Sequence, residues 1–314
     1  VGSLLVRVLP LFKEFSGETV RIMDSMAGGK YHSLFDLSSD VKYEFILGDI
    51  RKEEDLKVAL RDVRLVFDLA GITSVPLSFR RERETMEINV EGARKLLETA
   101  INSGVERIVY SSSAAVYGSV EGLVDEKTQP NPESPYARSK LLAEQLYMEA
   151  WRERGLDIVI LRFGTVFGYA PGIRFDTVVN KFTFLAAIGH PLTVWKGTEN
   201  AYRPYLYVGD AVNALVFAAT NNSCKGEVFN VTTENASLSK LIDTIRLYVP
   251  DVRVRYVEPP YAKQISYGLK DDKIREAGFK PHGSLRRGVK EVLDVFKSFI
   301  VARLNTTSPK KFSV

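Results

Sequence analysis

Arg107-Ile-Val-Tyr-Ser-Ser-Ser-Ala-Ala-Val-Tyr-Gly118 begins as an apolar, β-branched run and ends on three serines and a glycine. Its first part, 107–111, reads as a buried strand, and its surroundings decide the fold. A helical pattern over 83–102 precedes it. Another over 136–154 follows it and leads to a second β-branched run over 157–162. Further out, strands read at 19–24 (Thr19-Val-Arg-Ile-Met-Asp24), 43–47 and 65–69, with helices over 2–15 and 53–60. Strands alternating with amphipathic helices predict an α/β protein with a doubly wound parallel sheet, helices covering both faces.

The pattern changes after Tyr169. A Pro171-Gly172 loop leads into a helix over 175–188 and a short strand over 192–194. Residues 228–231 read as a strand returning to the sheet. A helix over 238–248, a strand over 252–257 and a helix over 286–299 then make a smaller α/β unit. The expected division is a cofactor domain of residues 1–168 with about 205–235, and a discontinuous substrate domain of about 169–204 with 236–302. Sheets of this kind bind ligands at the carboxyl ends of their strands. The tail, 303–314, lacks periodicity and reads as disordered.

Composition excludes several classes. Of 314 residues, 45% are hydrophobic and 26% charged, as in ordinary globular proteins. The net charge of +4 comes from basic residues spread among acidic ones, which gives no case for nucleic acid. Cys224 stands alone, so neither an intrachain disulfide nor a cysteine metal site can form, and no metal is expected. No apolar run approaches the roughly 20 residues of a membrane span, and no signal peptide is visible. A cytoplasmic setting fits best, with no membrane partner.

Two features carry chemistry. Tyr136-Ala-Arg-Ser-Lys140 follows Ser134-Pro135, a credible helix start. Tyrosine and lysine four residues apart share one helix face. A nearby ammonium favours the phenolate, which predicts a phenol pKa lowered toward neutrality and a usable general acid/base. Alone this spacing is a weak signal, since a solvated helix face reads the same way. The second feature is the strand end at Ser111-Ser-Ser113, where a hydroxyl facing the crevice can hydrogen-bond a reacting oxygen. A serine-rich turn is the bland alternative, and the two features in this order favour catalysis.

Residues 111–118 and 136–140 resemble the Ser-Tyr-Lys set of extended short-chain dehydrogenases/reductases, most closely the NAD-dependent sugar-nucleotide epimerases such as UDP-galactose 4-epimerase. Further landmarks are Gly48-Asp-Ile50, Phe67-Asp-Leu-Ala-Gly71, Ile88-Asn-Val90, Leu161-Arg-Phe163, Arg203-Pro-Tyr-Leu-Tyr-Val-Gly-Asp210 and Phe229-Asn-Val231. The resemblance implies a Rossmann-like fold and a homodimer built on the helices over 83–102 and 136–154, with Leu96, Leu97, Leu142, Leu146 and Met148 as candidate contacts. It implies that Ser113 orients a sugar hydroxyl, Tyr136 transfers the proton, and Lys140 binds the nicotinamide ribose. NAD would meet Gly2, Asp24, Asp49, Ile50, Leu69, Ala70, Gly71, Asn89, Ser111, Tyr136, Lys140 and Phe163. Asp24 also follows from position: an acid ending the second strand accepts ribose hydroxyls and repels a 2′-phosphate. The family lysine near the nicotinamide ribose is Thr73 here. A nucleotide-diphosphate sugar, UDP-sugar first, would meet Ser113, Thr165, Asn180, Thr193, Trp195, Arg203 and Tyr267. Arg203 suits a diphosphate because its planar fork matches phosphate oxygens.

Departures bear on the reading. Family members open with a strand and a Gly-x-x-Gly-x-x-Gly turn, whereas Val1-Gly2-Ser3-Leu4 matches only the third glycine and the helix after it. The first strand is expected to be truncated from a longer sequence; the alternative is a chain that binds cofactor poorly. Where a second phosphate-binding arginine is common, the chain reads Gln264-Ile265-Ser266-Tyr267, leaving Arg203 or Lys263 to serve. Related 4,6-dehydratases place Asp-Glu after the strand serine and decarboxylases keep a Glu, while this chain has Ala114-Ala115. The expected reaction is therefore C4 epimerisation of UDP-glucose/UDP-galactose. A keto-sugar-nucleotide reductase and a catalytically silent nucleotide-sugar-binding protein are the alternatives.

Overall fold

The computed structural model describes residues 1–258 and 266–297; the expectations placed on Lys263, Gln264, Ile265 and the tail lie outside them. Helix α1 (Gly2–Val8) is shorter than the predicted 2–15. Pro10 lacks an N–H and cannot continue the helical ladder, so the chain passes through 3₁₀ turns at Leu9–Leu11 and Lys13–Phe15. Strands β1 (Val20–Asp24) and β2 (Tyr43–Leu47) pair in parallel, from Val20 opposite Tyr43 to Asp24 opposite Leu47. Helix α2 (Glu53–Ala59), with three acids in its first turn, leads to β3 (Leu65–Asp68).

The predicted helix over 83–102 is preceded by an unforeseen α3 (Val75–Arg80), capped by Ser74. It then divides into α4 (Glu82–Met86), a π turn at Glu87–Glu91 and α5 (Gly92–Asn102). Strand β4 (Arg107–Ser113) runs to the third serine, and a short β5 (Gly122–Val124) follows. Helix α6 (Pro135–Arg154) starts where Ser134 accepts the Ala137 N–H at 3.1 Å, and stops at Gly155. That glycine takes φ 68°, a left-handed conformation a Cβ would oppose.

Strand β6 (Asp157–Phe163) is buried along its whole length, and β7 (Thr165–Phe167) follows at once. Then come α7 (Val178–Ala187), β8 (Leu192–Trp195), β9 (Tyr202–Tyr207), α8 (Val208–Thr220), β10 (Glu227–Val231), β11 (Glu234–Ser237) and α9 (Leu238–Arg246). Strands β12 (Val254–Val257) and β13 (Tyr267–Leu269), with α10 (Asp272–Glu276) and α11 (Leu285–Phe296), complete the described chain.

Strands β10, β6, β4 and β3 lie side by side in that order, all parallel. Alternate residues of β4 and β6 serve opposite cores, the period of a pleated strand. Val109, Val159 and Leu161 pack with α8, while Ile108, Tyr110, Ile158 and Ile160 pack with α5 and α6. Both faces are covered, as predicted. Leu96 and Leu97 belong to this second core, with Leu146 and Met148 packed against it. Of the proposed dimer contacts only Leu142 is exposed. The amphipathic stripe was legible, but its buried side faces the sheet.

A third core joins α7, α9 and α11 to β8 and β9. Strand β9 pairs with β7 in parallel and with β11 antiparallel, and β13 pairs with β5; the sequence reading had not placed these ladders. Cys224 is buried in a 3₁₀ turn at Asn222–Cys224, inside the core beneath α8. Strands β1 and β3 do not pair with each other, and both line a cleft of about 2180 Å³.

Candidate active site

Tyr136 sits in the first turn of α6, buried, and its backbone N–H donates to Ser78 Oγ of α3 at 3.1 Å. The Ser113 hydroxyl hydrogen-bonds its phenol. Ser113 also caps the 3₁₀ turn Ala114–Tyr117, accepting the Ala115 N–H at 3.2 Å, so its Oγ is held at the strand end. One turn along α6, the Lys140 ammonium donates to the Ser111 carbonyl at 2.8 Å and stands 4.7 Å from the centre of the Tyr110 ring. The structure thus brings Ser111, Ser113, Tyr136 and Lys140 together where β4 ends and α6 begins.

The electrostatics differ from the sequence expectation. Burial raises the Tyr136 pKa above its ordinary value, and the Ser113 hydrogen bond and the Arg174 charge only oppose that rise. In this conformation Lys140 turns its charge to Ser111 and Tyr110 instead of lowering the phenol. Burial brings Lys140 itself down to about 8, against the charges of Asp68 and Glu144. Asp68 is buried at the end of β3, accepts from Tyr147 Oη at 2.6 Å, and has its pKa raised, chiefly by burial. Tyr147 stacks on Tyr110 at 4.4 Å between centroids.

A buried ion pair lies beneath. Glu144, four residues after Lys140 on α6, meets Arg162 of β6 at 2.6 Å, with both side chains less than a tenth exposed. Glu144 also accepts from Ser112 Oγ at 2.5 Å. Arg162 donates to Tyr117 Oη at 3.0 Å, and Tyr117 donates to Asn230 Oδ1 at 2.7 Å. Such a pair is costly to break, because the survivor is left charged in a low-dielectric interior. It joins α6, β4, β6 and β10 under the serines. The sequence reading passed over Glu144 and Asp68; Glu144 stands one further helical turn along the Tyr136–Lys140 face.

Gly2, Asp24, Asp49, Ile50, Leu69, Ala70 and Gly71 all lie on the cleft wall. Asp24 ends β1, exposed, with one carboxylate oxygen accepting the Met26 N–H at 2.7 Å. Asp49 is held by Arg51 at 2.5 Å, which lowers its pKa. Gly71 takes φ 146°, and a Cβ there would come within 2.8 Å of Asn89 Oδ1. Asn89 does not face the cleft. Its amide accepts the Ile72 N–H at 2.8 Å and donates to the Ile72 carbonyl at 3.0 Å and to Ser139 Oγ at 2.9 Å, fixing the loop floor from below. Phe163 is buried at the end of β6, opposite Ser113 in register. An exposed acid at a strand end and a glycine at Gly71 suit the ribose and phosphates of a dinucleotide.

Substrate candidates divide. Tyr267 of β13 donates to the Ala114 carbonyl at 3.4 Å, and the Arg203 guanidinium of β9 stands 5.9 Å from its ring. Burial raises the Tyr267 pKa, and Tyr136 is near enough to add to that rise. Thr165 begins β7, opposite Tyr205. Thr193 and Trp195 are exposed on one face of β8, so Trp195 is no core aromatic. Asn180 is buried, and its amide ties the 168–174 loop together instead of lining the cleft, accepting the Gly168 N–H at 3.0 Å and donating to the Arg174 carbonyl at 2.9 Å. Among the described residues no group of three or more His, Cys, Asp or Glu could hold a metal ion.

Fold and cleft define a class: a doubly wound α/β protein with a dinucleotide-type cleft and a Tyr–Lys helix at the strand ends. The profile of the NAD-dependent epimerase/dehydratase family matches residues 2–232, more than half the chain, and the chain belongs to that family. It is an enzyme of the extended short-chain dehydrogenase/reductase type, and NAD is the family's cofactor. It is 28% identical over 277 residues to the dTDP-D-glucose 4,6-dehydratase of Mus musculus, covering 84% of this chain and 77% of that one. It is 29% identical over 287 residues to a putative UDP-glucose 4-epimerase of Methanocaldococcus jannaschii, covering 89% and 90%. The crystal structure of a mutant UDP-glucuronic acid 4-epimerase from Bacillus cereus, with a fluorinated UDP-glucuronic acid and NAD, superposes with TM-score 0.85 at 26% identity, covering 94% of this chain and 95% of that one.

Proposed function

We propose that the chain catalyses C4 epimerisation of a UDP-sugar, UDP-glucose/UDP-galactose first, through a 4-keto intermediate. Relatives with both epimerase and dehydratase names match it, so the choice rests on the site. The observation that carries it is the turn beside Tyr136. Ala114 and Ala115 fill the positions after Ser113, and among the described residues the groups acting on the Tyr136 phenol are a hydroxyl and a cation, with no carboxylate. Elimination of water from a sugar needs a second acid/base group near the proton carrier. Oxidation and reduction at one carbinol carbon need only one.

In this reading Tyr136 takes the C4 hydroxyl proton while Ser113 holds that oxygen. Bound NAD supplies hydride acceptance and return. Arg203 anchors the diphosphate, Tyr267 borders the sugar, and Thr193 and Trp195 offer a surface for the base. The 4-keto sugar turns about its phosphate link so that its other face can be reduced, and Tyr136 returns the proton to the C4 oxygen. Asn180 holds the loop that carries Arg174. Lys140 hydrogen-bonds the ribose once cofactor is present. A homodimer is supported by Val75, Phe79 and Leu142, exposed on α3 and α6. A cytoplasmic location accords with the absence, among the described residues, of any helix long and apolar enough to cross a membrane.

The test is incubation with UDP-glucose or UDP-galactose and NAD, following the sugar by NMR and reduced nicotinamide by absorbance. Interconversion without net reduced cofactor is expected. A 6-deoxy-4-keto product would make the enzyme a dehydratase, stoichiometric reduced cofactor a one-way oxidoreductase, and binding without turnover a silent module.

A further inference from the structure

The ladder between β3 and β4 ends at Tyr110, opposite Asp68, so among the described residues Ser111, Ser112 and Ser113 pair on one side only, with β6. The strand end that carries the Ser113 hydroxyl therefore needs another anchor, and α6 supplies one at each of three successive turns. Tyr136, Lys140 and Glu144 are four residues apart and share one helix face. The Tyr136 phenol meets the Ser113 hydroxyl, the Lys140 ammonium donates to the Ser111 carbonyl at 2.8 Å, and Glu144 Oε1 accepts from Ser112 Oγ at 2.5 Å. The third contact is of a different kind. Ser112 and Glu144 are both buried, and Glu144 is already held by Arg162, whose Nε lies 3.0 and 3.2 Å from the two carboxylate oxygens and Nη2 2.6 Å from Oε2. Those bonds tie α6 to β6. Among the described residues Ser112 is what ties Glu144 to β4, the strand that bears the other two serines. The backbone of Ser112 joins both neighbours. A twist there would carry the Ser111 carbonyl away from Lys140 and the Ser113 hydroxyl away from Tyr136 together.

We propose that Ser112 and Glu144 are positioning residues of the active site: their hydrogen bond holds the end of β4 in register with α6, so that Ser113 and Tyr136 converge on one reacting oxygen. This rests on Tyr136 being the proton carrier. Neither residue touches that oxygen. A hydrogen bond to a carboxylate is short and strong, and in a low-dielectric interior it stiffens the elements it joins. Alignment matters because proton and hydride transfer need the reacting groups in contact, and a misplacement of about 1 Å can cost on the order of 100-fold in rate.

The test compares wild type with Ser112→Ala and Ser112→Thr. The alanine variant leaves the Glu144–Arg162 pair intact, so no buried charge is stranded and the fold is kept. Its kcat should fall roughly ten-fold, the cost of looser alignment, while KM and NAD affinity stay unchanged. Ser112→Thr keeps the hydroxyl and should recover most of the rate. The second readout is the ring resonance of Tyr136 in protein carrying isotope-labelled tyrosine, identified as the signal that Tyr136→Phe deletes. It should shift in Ser112→Ala, as the phenol loses its fixed relation to Ser113, and return in Ser112→Thr. A kcat held at the wild-type value, or an unmoved Tyr136 resonance, would make the contact a purely structural one and overturn the proposal. If the wild type fails to epimerise, the resonance alone decides, since it needs no sugar substrate.

Discussion

Arg203→Ala separates affinity from stability, and the structure sets both magnitudes. The guanidinium makes a hydrogen bond to the Tyr202 carbonyl at 3.0 Å and a loose contact with the Tyr267 ring, and burial disfavours its charge. Among the described residues no carboxylate lies within ion-pair distance of it. Removing it forfeits a neutral-acceptor hydrogen bond of about 1 kcal/mol and relieves part of a desolvation cost of similar size. The melting temperature should therefore move by no more than about 2 °C. A diphosphate would give this cation a charged partner. Charge-assisted hydrogen bonds contribute about 1.5–3 kcal/mol, so UDP affinity should fall roughly 10- to 150-fold. The contact exists in ground and transition states alike, so KM should rise more than kcat falls. Calorimetry with UDP and with NAD on both proteins reads this directly, NAD affinity staying unchanged. Equal UDP affinity in the two proteins would refute the placement of the diphosphate. A melting temperature lowered by many degrees would show that Arg203 serves the fold.

Tyr136→Phe removes only the proton-carrying hydroxyl; binding of UDP should persist while turnover falls about 10²–10⁴-fold, and near-wild-type turnover would end the mechanism. Glu144→Ala strands Arg162 in the interior and should cost about 3–5 kcal/mol, seen as an earlier urea midpoint. An unmoved midpoint would mean that water reaches the pair. Lys140 gives a pH dependence with a definite sign. Its folded value of about 8 lies below the ordinary 10.5, so between those values the unfolded chain binds the extra proton. Wild-type stability should therefore rise relative to Lys140→Met as pH climbs from 8 to 10.5, and an unchanged difference across that range would place the lysine in water.

The sheet and its helices were legible because each strand carries a run of β-branched residues, and β4 and β6 are buried on both faces. Pro10 shortened α1 by a local rule that periodicity overlooks. The β5–β13 and β7–β9–β11 ladders escaped because strands of three to six residues joined across long sequence separations leave little periodic signal. Tyr136, Lys140 and Ser113 were readable through spacing and motif. The direction of the Tyr136 shift was not, because burial and the turn of the lysine toward Ser111 are tertiary facts. Asn89 and Asn180 were read as ligand contacts, whereas their amides brace loops. An asparagine that binds and one that braces look alike until its partners are known.

The lone thiol of Cys224 gives the molecule a built-in clock. It is wholly screened from solvent between α8 and β10, and burial raises its pKa, so the reactive thiolate is scarce as well as shielded. A thiol reagent can meet it only when that side of the sheet opens. With no second cysteine to blur the signal, the rate of modification counts those openings one molecule at a time. Slower modification with NAD or sugar nucleotide present would measure, without any turnover, how far each ligand clamps the strands that end at the active site.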